Sequence, residues 1–186
     1  MSEKNLGLYL TFKSKYMKNI LRGTKKTTVR LGIIKSLHDR VFIECRGKLY
    51  GEAIIKNLRY VELSKLNEDD AIRDGFKNLN EMIADLKRIY PFLKKKDKMT
   101  IIEFEVTKIY SQPIPKSVLN RDQSRIAKLA LAYWPHWSSK ERKILAELSV
   151  GKSIEEIAVE DEVSIAEVVS LLNSVSSKLR SMGLST

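Results

Sequence analysis

Residues 23–30 form the segment of this sequence whose side chains are best suited to do chemistry. The segment reads GTKKTTVR, which places three cations and three hydroxyls behind a glycine. Lysine and arginine supply charge, whereas threonine supplies neutral hydrogen-bond donors. This combination suits a phosphate or a polarised carbonyl better than it suits a hydrophobic core. The segment is therefore the first candidate for a functional site.

A strand over residues 27–31 would sort these side chains by face. Alternation turns the valine and the leucine of that strand toward the core and leaves Lys26, Thr28 and Arg30 on a polar face. Lys25 then lies at the turn before the strand. A desolvated lysine beside other cations has a lowered pKa, so Lys25 is a candidate base or nucleophile. The alternative is a solvated cationic strand whose threonines serve β-propensity.

Length and composition narrow the class of protein. The chain has 186 residues, a net charge of +11 and 31% charged residues, which is typical of one ordinary globular domain or two small ones. No apolar run approaches the roughly 18 residues that cross a bilayer, and no signal region follows Met1, so we expect a cytosolic protein. With one cysteine, Cys45, and only His38 and His136, there is no zinc-site spacing. We therefore expect neither a metal nor a cofactor.

The positive charge is concentrated in the first part of the chain. Up to Gln112 there are 24 Lys+Arg and 14 Asp+Glu, a net of +10, and the remaining 10 and 9 leave +1. Strong positive charge attracts polyanions. We expect nucleic acid as the partner, RNA ahead of DNA, and no membrane.

The first part has a mixed α/β pattern. Short alternating runs predict strands, two helices end near Gly75 and Pro91, and Cys45 lies in a strand as a buried thiol. The predicted strands cover residues 8–12, 27–31, 41–45, 50–58 and 100–110, and the predicted helices cover 13–22, 67–75 and 80–89. Short strands around two or three helices indicate a small, partly closed barrel. We place this barrel at residues 1–112.

The second part has an all-helical pattern. Pro113 and Pro115 mark a joint, and a linker with a connecting helix over 117–134 completes residues 113–136. Serine is followed three positions later by glutamate in three places, each ahead of an apolar-periodic run, and such capping boxes start helices. The serines are Ser138, Ser153 and Ser164. A helix, a short helix and a longer helix in this order form the layout of a helix-turn-helix over residues 137–186.

The first part resembles the ASCH domain, a family with a PUA-like barrel. The resemblance rests on motifs taken together, in the order Leu10-x-Phe12, Tyr16, Ile20-Leu-x-Gly23, Lys25, Thr28-x-Arg30, Asp74-Gly75-Phe76, Tyr90-Pro91 and Ile102-x-Phe104. It implies an α+β fold, a cleft and association with RNA. Some small bacterial members are similar to amidohydrolases that deacetylate N4-acetylcytidine, and the matching catalytic residues here would be Lys25, Thr28 and Asp74.

The acidic residue departs from the family pattern. The family has glutamate where this sequence has Asp74, whose side chain is one methylene shorter. A displacement of about 1 Å can cost on the order of 100-fold in rate. This shortening places nucleic-acid binding ahead of catalysis in the sequence-based ranking, with an amidohydrolase as the alternative.

The second part resembles the LuxR-type helix-turn-helix. The resemblance rests on Ser138-x-Lys140-Glu141-x-x-Ile144-Leu145, Gly151-x-Ser153-x-x-Glu156-Ile157-Ala158, Val163-Ser164, Val168 and Lys178-Leu179. Residues 164–177 contain no lysine or arginine, although DNA affinity depends on phosphate contacts. Two alternatives stay open. One is a DNA-binding regulator with the ASCH domain as sensor, and the other is a helical domain that packs on the barrel or forms a homo-oligomer with a second copy.

Two further segments are candidates for nucleic-acid contact. Lys94, Lys95 and Lys96 form a cation run that is usually a solvated loop and would extend the binding surface if it bordered the cleft of Lys25. Residues 133–137 read YWPHW and could stack bases, but they are expected to form a hydrophobic hinge. The predicted nucleic-acid-binding residues are Lys25, Lys26, Thr28, Arg30, Lys94, Lys95 and Lys96.

Overall fold

The computed structural model describes residues 4–36, 38–119 and 123–184 and divides the chain into two compact units. The first unit ends at Pro113 and the second begins at Ile114. The first is mixed α and β, and the described part of the second is helical after its first two residues. Each unit is described by itself below.

The first unit is built on two sheets and three α-helices. Its strands are β1 (Lys4–Leu6), β2 (Tyr9–Thr11), β3 (Thr27–Leu31), β4 (Ile34–Ser36), β5 (Arg40–Cys45), β6 (Lys48–Glu62) and β7 (Lys98–Pro115). Its helices are α1 (Ser14–Leu21), α2 (Glu68–Arg73) and α3 (Leu79–Ile89), with a short 3-10 helix at Leu63–Lys65. Strands β1 and β4 were absent from the sequence prediction because three-residue runs are too short to show a period.

The larger sheet has five strands in the order β2-β5-β6-β7-β3. Strand β3 runs antiparallel to β7, with Thr28 opposite Ile102, and β2 runs parallel to β5. The β5–β6 turn uses positive φ at Arg46 (50°) and Gly47 (71°), which matches the right-handed twist of a hairpin. This turn lies where the sequence predicted it.

The predicted barrel is observed as an open sheet. Strands β2 and β3 are the two edges of the five-stranded sheet, so the described residues contain no closed barrel. Closure requires strand tilt and shear that agree around the whole sheet. Hydrophobic periodicity does not encode either quantity, and β2 has only three residues.

Two hydrophobic clusters form the core of the first unit. One joins α1 to the sheet and includes Leu10, Phe12, Ile20, Val41, Ile43, Cys45 and Phe104. The other joins α2 and α3 to β3 and β7 and includes Val29, Leu66, Ala71, Met82, Leu86, Met99 and Ile101. Val29 therefore faces the core as predicted, and Cys45 is a buried thiol.

The joint differs from the prediction in its detail. Strand β7 continues through both Pro113 and Pro115, because proline is tolerated in a strand where its missing N–H is not needed for pairing. The single helix predicted for 117–134 is observed as α4 (Lys116–Leu119) and α5 (Ser124–Tyr133), and residues 120–122 lie outside the described residues.

The second unit continues with three helices whose starts are fixed by capping boxes. They are α6 (Ser139–Ser149), α7 (Ile154–Glu160) and α8 (Ile165–Ser181). The side chains of Ser138, Ser153 and Ser164 accept from backbone N–H groups, and the glutamate at N3 reaches back in each case, so the three predicted capping boxes are confirmed. Helix α5 packs against α6 and α8, and α7 packs against α8. Within the described ranges, no helix has the length and apolar character that crossing a membrane requires.

Candidate active site

The backbone at Lys25 and Lys26 is fixed by hydrogen bonds to two helices. Helix α1 ends at Leu21, and Gly23 adopts a φ of +71°, which turns the chain back. The Lys25 N–H donates to the Asn19 carbonyl at 3.1 Å, and the Lys26 N–H donates to the Arg73 carbonyl at 2.9 Å. Lys25 is thereby held between the end of α1 and the end of α2.

Helix α2 delivers Asp74 to the same place. Asn67 caps the start of α2, and Asp74 is the C-cap residue, followed by Gly75 with a φ of +90°. The Lys25 ammonium donates to the Asp74 backbone carbonyl at 2.7 Å and also forms an ion pair with the Asp74 Oδ1. The other carboxylate oxygen accepts from the Val29 N–H at 2.8 Å. The shorter acid therefore reaches the lysine directly.

Two aromatic rings lie beside the lysine ammonium. The Lys25 Nζ lies 4.9 Å from the centre of the Tyr16 ring and 5.8 Å from that of Phe76. The two rings meet edge to face at 6.0 Å. Lys25 and Asp74 are only 2% and 3% exposed, so the pair lies in a low-dielectric environment where charge is expensive.

Burial shifts both ionisable groups toward their neutral forms. It lowers the pKa of Lys25, with the Asp74 carboxylate opposing the shift. It raises the pKa of Asp74 to about 6, against the opposing effects of Lys25 and the Val29 N–H. Movement of one proton from the Lys25 ammonium to the Asp74 carboxylate is therefore easier here than in water. That transfer leaves a neutral amine, which is the nucleophilic or basic form of lysine.

A small cavity of about 50 Å³ borders the ion pair. Thr28 lines it together with Lys25 and Asp74, so the three residues predicted as catalytic share one cavity. A water molecule needs roughly 10–15 Å³, so the cavity can hold one beside the pair.

The same cavity contains a second carboxylate that sequence reasoning missed. Asp85 on α3 accepts hydrogen bonds from the Tyr16 hydroxyl and the Lys15 ammonium. Burial alone would raise the pKa of Asp85, but these two hydrogen bonds outweigh it and lower the pKa. The apolar periodicity of α3 was the only signal in the sequence, because it places Asp85 near the buried face with Met82 and Leu86.

A larger cavity of about 300 Å³ lies on the other side of Lys25. It is lined by Gly23, Lys25, Lys26, Lys56 and residues 103–106. Two of its acids are bound by cations, since Arg73 pairs with Glu103 and Lys56 with Glu105. Lys25 is thus the residue that both cavities share.

The predicted polar face is not one cleft floor. Lys26 precedes β3 and is exposed at the larger cavity, whereas Thr28 is buried at the smaller one. Arg30 lines neither of these two cavities. Its guanidinium lies 6.0 Å from the centre of the Phe12 ring, donates to the Thr11 carbonyl at 2.8 Å, and has its pKa lowered by burial. The reason is that both faces of β3 are covered, so alternation does not separate core from solvent there.

The cation run lies apart from both cavities. Lys94, Lys95 and Lys96 are exposed in the turn before β7, and they do not line either cavity that Lys25 lines. Lys98 begins β7 and Glu103 lines the larger cavity, so five residues of strand, about 16 Å, separate the two places. Among the described residues, no group of three His, Cys, Asp or Glu side chains could hold a metal ion.

Comparison with known proteins finds similarity to solved structures at low sequence identity. No protein-family model and no curated protein matches the chain. ASCH from Zymomonas mobilis is similar at 15% identity and a TM-score of 0.46, over 78% of this chain and 94% of that one. The ASCH domain from Lactobacillus crispatus is similar at 16% identity and 0.41, over 49% and 69%. An Enterococcus faecalis protein of family DUF984 is similar at 14% and 0.45, over 50% and 68%. These likenesses assign no role to any residue.

Proposed function

We propose that the first unit is an amidohydrolase that removes the acyl group from an acylated nucleobase such as N4-acetylcytidine. The observation that carries this proposal is the buried contact between Lys25 and Asp74, which share a cavity with Thr28. The resemblance of the surrounding motifs to the ASCH family supports the substrate class. The aspartate that departs from the family pattern is no obstacle, because its carboxylate touches the ammonium.

The chemistry assigns one role to each residue. Proton transfer to Asp74 leaves Lys25 neutral, and the amine then takes a proton from the water that attacks the acyl carbonyl. If the amine itself attacks, the acyl group passes to Lys25, and a water molecule must then cleave that acyl-lysine bond to release the acid and the free amine. The tetrahedral intermediate collapses with cleavage of the C–N bond, and Asp74 returns its proton to the departing amine nitrogen. Thr28 supplies a hydroxyl that positions the carbonyl. The overall reaction consumes one water and releases a carboxylic acid and the free nucleobase amine.

The two cavities match the two reactants in size. The 50 Å³ cavity holds water, whereas the 300 Å³ cavity is at the lower end of the range for small-molecule sites. The nucleobase would lie in the larger cavity with its acyl carbonyl at Lys25. Phe104 gives that cavity an apolar surface, and Lys26 stands exposed at it.

Incubation with N4-acetylcytidine and chromatography of the products tests the proposal. We expect cytidine and acetate, with the rate reduced by about 10²- to 10⁴-fold in Lys25→Ala because a general base or nucleophile is lost. Lys18→Ala is the matched control, since it removes an exposed lysine of α1 that lines neither cavity. Absence of cytidine above the Lys25→Ala background would contradict the proposal.

RNA binding is the second candidate function, and the charge distribution favours it. The net charge of +10 up to Gln112 makes the first unit the attractive part of the chain for a polyanion. The residues that would contact phosphates are Lys25, Lys26, Thr28, Arg30, Lys94, Lys95 and Lys96. Of these the lysine run and Lys26 are exposed, whereas Lys25 and Thr28 are buried.

Filter binding to single-stranded RNA over a range of salt concentrations tests this second candidate. We expect log affinity to fall linearly with log salt, with a slope of about 0.7 for each phosphate that is neutralised. Replacing Lys94, Lys95 and Lys96 by glutamine should reduce that slope, and Lys128→Gln in the second unit should leave it unchanged. An affinity that is insensitive to salt would contradict RNA binding.

The DNA-binding regulator stays a prediction without a further observation in its favour. Helix α8 carries no lysine or arginine from Ile165 to Ser177, so a duplex would meet few cations along it. A gel shift of the full chain with duplex DNA would test it.

A further inference from the structure

The second unit contains a lysine whose ammonium lies over the rings of both tryptophans of the chain. The Lys178 Nζ lies 4.8 Å from the centre of the Trp134 ring and 5.0 Å from that of Trp137. Among the described residues, no carboxylate is within ion-pair distance of Lys178. The Trp137 Nε1 donates to the Ala130 carbonyl at 3.1 Å, which fixes the orientation of that indole.

This cluster borders a groove of about 390 Å³ between α6 and α8. The groove is lined by Trp137, Lys140, Glu141, Ile144, Glu167, Ser170, Leu171, Ser174 and Lys178. It therefore offers an indole, an aliphatic floor, two hydroxyls and two cations in one place. Its volume lies in the range of small-molecule sites, which is about 300–1,000 Å³.

The two acids of the groove are already engaged. Glu167 receives the Lys140 ammonium at 3.2 Å and completes the capping box of α8. Glu141 accepts from the Ser138 N–H at 2.9 Å in the capping box of α6. The charge of Lys178 is among the causes that lower the pKa of Glu141, after its hydrogen bonds to Ser138. No carboxylate of the described residues lies within ion-pair distance of Lys178, so its ammonium can contact an anionic ligand directly.

We propose that this groove binds an unpaired nucleotide, with the base stacked on Trp137 and a phosphate on Lys178. A base presents a flat π-face together with donors and acceptors, which matches an indole flanked by the hydroxyls of Ser170 and Ser174. A lysine is a point charge for a phosphate oxygen. A free nucleotide and a nucleotide within a single strand present the same base and phosphate to this groove.

A paired nucleotide does not fit the same surface. The base faces of a duplex are covered by their neighbours, so an indole cannot stack on them. Reading a duplex also depends on cations along the inserted helix, and α8 has none before Lys178. The groove is thus assigned to unpaired nucleotides rather than to duplex DNA.

Tryptophan fluorescence of the full chain tests the proposal directly, because both tryptophans belong to the site. Titrations with UMP, with a short oligouridylate and with a duplex of equal length distinguish a free nucleotide, a single strand and a duplex as the ligand. Quenching by UMP indicates a free nucleotide, and quenching by the oligonucleotide with little response to UMP indicates a single strand. Absence of quenching by both, or equal quenching by the duplex, would overturn the proposal. If the oligonucleotide binds at the first unit alone, it is retained on the filter but does not quench the tryptophan fluorescence.

Three variants connect the signal to the geometry. Trp137→Ala should weaken binding by roughly 5- to 150-fold, followed through the remaining Trp134, because one stacking platform is lost. Lys178→Gln should weaken it by roughly tenfold or more, and Lys178→Arg should restore most of it. Lys128→Gln removes an exposed cation outside the groove and should leave binding unchanged. Circular dichroism confirms that each variant keeps its helices. Equal affinities for Lys178→Gln and Lys128→Gln would overturn the assignment of the phosphate.

Discussion

Two lysines, one in each unit, lie against pairs of aromatic rings, but their other neighbours differ. Lys25 is covered by Tyr16 and Phe76 and forms an ion pair with Asp74. Lys178 lies between two indoles, is half-buried, and has no carboxylate of the described residues within ion-pair distance. The first environment favours proton transfer within a dry pair, whereas the second leaves a charge available to a ligand. The role of such a lysine therefore depends on whether a carboxylate pairs with it and on how deeply it is buried, rather than on the aromatic rings beside it.

The two units also differ in how their polar contacts arise along the chain. The Lys25–Asp74 pair joins residues 49 positions apart, and the Tyr16–Asp85 hydrogen bond spans 69. In the second unit, each capping box joins residues three positions apart. The first unit therefore gains its site only when distant elements dock, whereas the starts of the second unit's helices are fixed locally.

The largest effect on stability is expected from neutralising the buried pair. In Lys25→Met/Asp74→Asn, no charge leaves water on folding, and the asparagine oxygen still accepts from the Val29 N–H. Replacing a buried ion pair by neutral side chains of similar volume stabilises by about 1–4 kcal/mol in favourable cases, so the free energy of unfolding should rise while hydrolysis is lost. Urea denaturation followed by circular dichroism measures the change.

The control for that variant is an exposed ion pair on the five-stranded sheet, between β6 and β7. Lys56→Gln/Glu105→Gln removes an ion pair whose side chains are 51% and 61% exposed, and it should change stability by less than about 1 kcal/mol. If the double variant at positions 25 and 74 is less stable than wild type, the buried pair stabilises the fold, which contradicts the prediction that it costs stability.

The pH dependence of hydrolysis is the next largest effect. The active pair holds one proton, and Asp74 binds a second one below its raised pKa of about 6. The rate should therefore fall as the pH drops below about 6, by up to about tenfold per pH unit. An ordinary aspartate, with a pKa of about 3.9, would place this fall at a lower pH. Because burial lowers the pKa of Lys25, the alkaline limb should come below the range of an ordinary lysine. A kcat/KM profile that is flat from pH 7 to pH 5 would exclude this role for Asp74.

The capping boxes of the second unit should give an intermediate effect. Ser153→Ala removes the acceptor for the Glu156 N–H, and loss of such a cap costs about 1 kcal/mol. Ser177→Ala, an exposed position within α8, is the control and should be near neutral. The urea midpoints of the two variants measure this difference in stability. Equal midpoints would mean that the Ser153 cap does not contribute to the stability of the protein.

The smallest effect on stability is expected at Lys178. A cation–π contact at a partly exposed site contributes about 0.5–1 kcal/mol, so Lys178→Gln should lower the free energy of unfolding by no more than that. Tryptophan emission during thermal unfolding reports on this site. A loss larger than that of Ser153→Ala would give Lys178 a structural role and weaken its assignment to a ligand.

Much of the secondary structure followed from local pattern. Residues 27–31 form a strand as predicted, and the turn at Arg46 and Gly47 and the three serine caps lie where the sequence placed them. The open sheet and the course of β7 past Pro113 were not foreseen, because pairing order and closure depend on contacts between elements far apart in sequence.

The candidate site was foreseen in its members but not in its arrangement. Lys25, Thr28 and Asp74 were named from motif resemblance, yet the distance between the shorter acid and Lys25 could not be predicted from local pattern. That distance results from the end of α2 docking on β3, which puts the Asp74 carboxylate on the Val29 N–H. Asp85 was missed because an acid in an apolar-periodic helix shows its burial only when the helix is packed.

Local pattern in the sequence predicted most of the helices and strands, although not β1, β4 or the division between α4 and α5. The sequence also showed which residues carry the positive charge and which side chains could act as acid, base or stacking platform. Such properties depend on residues within a few positions of one another. The packing of the folded chain places Lys25 in a buried ion pair and Lys178 against two indoles, with no carboxylate of the described residues in ion-pair distance of Lys178. It also packs Arg30 on Phe12, outside both cavities of Lys25. Burial and ion pairing are set by the docking of elements that are distant in sequence, and these contacts determine the charge state of a lysine.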